Sequence, residues 1–88
     1  MGYHYPLEEE WTKSEIIDVV NFYNCIEKAY ESRIKAEDVL LAYQRFKEIV
    51  PAKSVEKQHF QAFEKGSGYV PFQVIKRARA EKDNVIKM

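Results

Sequence analysis

One cysteine, three glycines and three prolines stand among 88 residues, and no apolar run approaches the roughly 20 residues needed to cross a bilayer. A single thiol, Cys25, excludes an internal disulfide. It falls inside an apolar helical pattern and reads as a small core residue in a reducing compartment. The scarcity of glycine and proline leaves no low-complexity stretch and no long linker, and there is no internal repeat and no strand-like alternation. The opening Met1-Gly2-Tyr3-His4-Tyr5-Pro6-Leu7 lacks the basic and apolar regions of a secretory signal. Pro6 stands where a myristoylation signal needs Ser or Thr. The expectation is a cytoplasmic protein with no membrane partner.

The chemistry-bearing motifs are missing as well. Metal ligands could come from His4, His59, Cys25 and Glu8 to Glu10, but there is no H-E-x-x-H, no C-x-x-C and no EF-hand loop. There is no G-x-S-x-G elbow. Gly66-Ser67-Gly68 lacks the Lys and following Ser/Thr of a phosphate loop and reads as a turn. Cys25 has no basic neighbour to stabilise a thiolate. His59, four residues from both Val55 and Phe63, reads as a partly buried structural histidine. No catalytic, cofactor-binding or metal-binding residue is expected, and no enzyme.

Apolar residues make up 45% and aromatics 14%, enough for the core of one domain over residues 1–88. Fourteen Lys and Arg balance fourteen Asp and Glu, yet the charges are segregated. Up to Gln44 there are four bases against nine acids, a net of −5; beyond it, ten bases against five acids, a net of +5. Such a chain either folds its two poles together or offers them to something else.

Four helices are predicted, at about 13–32, 36–50, 54–65 and 71–82, between an arm at 1–11 and a short apolar tail at 83–88. Thr12-Lys13-Ser14-Glu15 is a capping box, and Trp11 stands where it would staple onto Ile16. The first helix carries a broad apolar arc (Ile16, Val19, Val20, Phe22, Tyr23, Ile26, Tyr30) with Cys25 and Ala29 at its edge, the pattern of a central helix. In the second, the stripe Ala36, Val39, Leu40, Tyr43, Phe46, Ile49 and Val50 leaves Leu41 pointing away, and Pro51 ends it. Ser54 is read as the cap of the third and Gly66 as its terminating glycine, with Val55, His59, Ala62 and Phe63 as its inner face and Phe60 beside it. Pro71 opens the fourth, which is basic on its outer side. Short connections give the fold class: all-α, a compact four-helix bundle.

Two surfaces are candidates for interaction. One is the aromatic and acidic arm, with Tyr3, Tyr5, Glu8, Glu9, Glu10 and Trp11, set against the simpler reading that it packs over the bundle. The other is the fourth helix, where Gln73, Lys76, Arg77 and Arg79 outline the second half of a helix-turn-helix. Against nucleic acid stand the long connection from Lys65 to Val70 and the neutral total charge. The simpler reading is that Arg77, Arg79 and Lys82 complement their own helix end.

Several segments together resemble the small uncharacterised protein family 0223 of bacilli and related Gram-positive bacteria. They are Met1 to Leu7 with Glu9-Glu10-Trp11, Glu15-Ile16-Ile17-Asp18-Val19-Val20, Ala42-Tyr43-Gln44-Arg45-Phe46-Lys47-Glu48-Ile49-Val50-Pro51, Ser67-Gly68-Tyr69 and Ile86-Lys87-Met88. The resemblance spans the chain. It implies a small, cytoplasmic, all-helical domain and supplies no activity, cofactor or catalytic residue. The expected function is protein binding or an adaptor role, through an unknown protein partner or self-association. Nucleic-acid binding through the basic C-terminal helix is the alternative.

Overall fold

The computed structural model describes residues 5–88. Helix α1 (Lys13–Glu31) is started by the capping box: the Thr12 hydroxyl accepts from the Glu15 amide at 3.1 Å and the Glu15 carboxylate from the Thr12 amide at 2.8 Å. Its apolar arc goes inward, with Val19, Phe22, Tyr23, Cys25, Ile26 and Ala29 buried. A two-residue strand β1 (Ile34–Lys35) leads into α2 (Ala36–Ile49). No side chain caps α2. Its first amide, from Ala36, donates instead to the Asn84 carbonyl at 2.9 Å, so the end of the chain satisfies a group that would otherwise be orphaned.

The next two helices correct some of the expectations. Helix α3 (Lys53–Ser67) has Ala52, not Ser54, at its N-cap. It runs through Gly66 and stops at Gly68, which takes the left-handed conformation (φ +82°). Gly66 is tolerated inside the helix at a cost of about 1 kcal/mol. The stop belongs to Gly68 because Ser67 breaks the ladder there: its hydroxyl donates to the Phe63 carbonyl (2.7 Å) and accepts from the Tyr69 amide (3.0 Å). Helix α4 (Pro71–Ala80) begins with proline in its first turn and ends two residues earlier than expected, in a turn over residues 81–83.

Short as it is, the tail is structured. Val85–Ile86 forms β2, antiparallel to β1, pairing Ile34 with Ile86 and Lys35 with Val85. Ile86 is fully buried, and the Met88 amide donates to the Ala29 carbonyl at 2.8 Å. A two-residue strand is too short to show any alternation, which is why the sequence reads as helix and tail alone.

Helix α1 packs on both α2 and α4, and α2 packs on α4, so the three helices share one core. Helix α3 joins through aromatic rings. Phe63 stacks on Tyr23 at 4.5 Å, and Phe60 on Phe46 at 5.3 Å and on Phe22 at 5.7 Å. The inner face of α3 is Glu56, Phe60 and Phe63; Ala62 is exposed. Phe63 is buried as expected and Phe60 beside it, Val55 and His59 are half-buried, and buried Glu56 is not among the expected residues. Tyr43 and Lys47 make its burial tolerable: Glu56 accepts from the Tyr43 hydroxyl at 2.6 Å and from Lys47 Nζ at 3.2 Å.

Candidate functional site

The arm lies against α1 and α3. Tyr5 stacks on Tyr23 (5.6 Å between centroids), and its hydroxyl is 2.7 Å from Glu27 Oε1 and 2.8 Å from Asn24 Oδ1. The Trp11 ring lies against the His59 ring at 5.4 Å, and His59 Nε2 is 2.8 Å from Glu8 Oε2. Glu9 and Glu10 are exposed and, among the described residues, without an ion pair. Tyr3 and His4 lie outside the described residues.

On α4, the cations divide. The Arg77 guanidinium holds Glu81 at 2.9 Å and the Lys87 carbonyl at 3.0 Å, and that of Arg79 lies over the Tyr43 ring at 5.5 Å. Gln73 and Lys76 are exposed. Among the described residues, no ion pair joins the acidic arm to α4. Glu8 meets His59 of α3 instead, so the arm and the basic α4 are not ion-paired to each other.

Beside the arm, whose Tyr5 hydroxyl bonds Asn24 and Glu27 at its edge, a groove of about 740 Å³ opens between α1 and α2. Helical geometry builds it from the residues left over when the inner arcs are satisfied. From α1 come Asp18, Asn21, Asn24, Cys25, Glu27 and Lys28, and from α2 come Asp38, Leu41, Ala42 and Arg45; Glu31 and Ile34 close one end. Its lower wall is apolar (Cys25, Ile34, Ala42). Leu41 stands on it at 60% exposure, and Ile17, at 59%, continues the outer face of α1. Both are off the inward stripes of their helices.

The electrostatics of the groove are acidic. Four acids (Asp18, Glu27, Glu31, Asp38) face two bases (Lys28, Arg45), and Arg45 is engaged by Asp18 at 2.7 Å and Glu48 at 3.1 Å. Glu27 keeps a buried Oε2 with no hydrogen-bond partner. Burial, and then the nearby Glu31 charge, raise its carboxyl above the usual range. Burial and Asp38 likewise raise the Cys25 thiol, which makes it a poor nucleophile. Among the described residues, no group of three His, Cys, Asp or Glu is placed to hold a metal ion, and no helix is long and apolar enough to cross a membrane.

Leu41, Asp38 and Asp18 are groove residues that the sequence assigns to no site. The legible signal is that Ile17 and Leu41, on consecutive helices, both fall off the apolar stripe.

Fold and surface thus define a small all-α domain whose main concavity is an apolar-floored, acid-rimmed groove. The chain belongs to the Uncharacterised protein family (UPF0223), whose model matches residues 2–87. It is 50% identical over 88 residues to a UPF0223 protein of Oceanobacillus iheyensis, covering all of both chains. Identity to a UPF0223 protein of Bacillus pumilus is 49% over 89 residues, again covering all of both. With a UPF0223 protein of Staphylococcus aureus it shares 47% over 83 residues, 94% of this chain and 91% of that one.

Proposed function

We propose that this domain is a non-enzymatic protein-binding module and that the α1–α2 groove is where it binds. The observation that carries the reading is the apolar side chain of Leu41, held 60% exposed over an apolar floor and ringed by carboxylates. An exposed apolar anchor with a polar rim is the anatomy of a protein interface. The complementary partner is a basic segment bearing at least one apolar side chain. The lone free thiol, Cys25, supports a reducing compartment, the cytoplasm.

Nucleic-acid binding through α4 draws less support, because Arg77 and Arg79 are engaged inside the chain. Fluorescence anisotropy with random duplex DNA and RNA at low salt tests it, and no binding at tens of micromolar removes it.

The groove is tested by affinity purification from the native cell with three forms: the parent, Leu41→Lys, and Gln58→Lys on the exposed face of α3. The proposal expects a protein captured by the parent and by Gln58→Lys and lost with Leu41→Lys. Equal capture by all three contradicts it.

A further inference from the structure

Resting on the groove as the binding site, we infer that its occupant is a second copy of this chain, whose α4 ridge lays Phe72 on Leu41 and brings Lys76 to Asp38. Each copy carries both halves of that contact. Phe72 is 44% exposed, its ring set edge-on to Phe60 at 4.7 Å. Lys76 is one helical turn further along the same face, exposed and without an ion pair among the described residues. Lys57 and Glu64 flank Phe72 from α3 and cancel, so the charge that the ridge carries beside its apolar knob is that of Lys76.

The receiving side is its complement in shape class and in sign. Asp38 is exposed on the rim and has no ion pair among the described residues. Glu31 has one carboxylate oxygen occupied by the Tyr69 hydroxyl at 2.7 Å, and Glu27 accepts through one oxygen only. Within one copy, none of these acids reaches α4. Asp18 with Arg45 and Glu8 with His59 join the −5 and +5 halves within one copy, and the charges they leave over, Asp38 and Lys76 among them, can neutralise each other between copies. Because knob and groove are different patches, the contact closes as a two-fold dimer when both form at once and otherwise adds copies head to tail. Either route makes mass rise with concentration.

Sedimentation equilibrium of the full chain tests this at about 50 mM and about 500 mM salt, which shortens the screening length about threefold. The expected result is an average mass above the monomer at low salt that falls back at high salt. Lys76→Glu and Asp38→Lys should each weaken association at least about tenfold, since each sets like charges together. Combined, they restore opposite signs and should return association to within about threefold of the parent. Both changes are on exposed side chains, and circular dichroism checks that the helices are kept. A parent that stays monomeric to about 1 mM, association indifferent to salt, or failure of the combined variant to recover overturns the inference. A monomeric parent that captures another protein and loses it with Leu41→Lys removes the second copy alone and leaves the groove reading standing. If capture is indifferent to Leu41→Lys as well, both fall.

Discussion

The two sides of α1 are built from the same helix and have opposite characters. On the inner side Phe22 and Tyr23 are fully buried beneath Phe46, Phe60 and Phe63, and the arm adds Tyr5 and Trp11 over them. Charges there are consumed: Glu56 by Tyr43 and Lys47, Glu8 by His59. On the outer side Asn21, Asn24 and Lys28 are exposed, and the neighbouring helix offers Leu41 and Asp38 to solvent. The aromatic residues cluster where they hold the fold together. The surface left for a partner is made of ordinary ones.

The sharpest way to break this contrast is to truncate one apolar side chain on each side. Phe46→Ala, in the sealed core, should cost about 3–5 kcal/mol, whereas Leu41→Ala should stay within about 0.5 kcal/mol; urea unfolding followed by circular dichroism reads both. Similar losses for the two would mean that Leu41 is a core residue and the groove is no open surface. Next comes the buried carboxylate. Glu56→Ala should cost about 1–3 kcal/mol, because the Tyr43 hydroxyl loses its acceptor and Lys47 its carboxylate, keeping only the Pro51 carbonyl. A neutral result in the same assay would show that Glu56 is solvated.

A smaller effect, of opposite sign, comes from the Tyr23 hydroxyl, which is buried and, among the described residues, without a hydrogen-bond partner. Tyr23→Phe should raise stability by about 1 kcal/mol, less whatever the small void returns. A clear loss would reveal a partner for that oxygen. Smallest at neutral pH, and visible only in alkali, is the titration of the tyrosines. Burial, the hydrogen bond to Glu56 and the Glu56 charge push Tyr43 up from 10.0 to about 12, against the lowering influence of Arg79. Burial and Glu56 also raise Tyr23. The unfolded chain therefore releases these protons first. Their stabilising contribution is intact below pH 10 and is lost as the pH climbs from 10 toward 12. Absorbance titration should show late tyrosines that join the ordinary ones after unfolding; a single transition at the usual position would deny their burial.

Much of the fold is legible in the chain because its signals are local. Thr12 and Glu15 mark a helix start within four residues, Pro51 and Pro71 punctuate, and the stripes of α1 and α2 keep helical period. What escapes depends on contacts between distant segments. Nothing local marks Glu56 as buried; only the fold brings Tyr43 and Lys47 beside it. Gly66 looks like the stop of α3 because nothing local shows that Ser67 and Gly68 terminate the ladder together. The Ile34–Ile86 pairing joins segments 52 positions apart, each two residues long. The groove is harder still, being a relation between the outer faces of two helices. Only the off-stripe placement of Ile17 and Leu41 hints at it. The arm is ambiguous for the same reason: Tyr5 and Trp11 would suit a free partner-binding segment as well as a packed one, and it is the rings of Tyr23 and His59 that receive them.

Hydrogen exchange of the domain, free and bound to the protein it captures, tests most directly whether the outer side of α1 is the working surface. Binding through the groove predicts slowed exchange in residues 18–31 and 34–45, with the arm and α3 unchanged. Slowing over the arm and α3, with α1 and α2 unaltered, would contradict it.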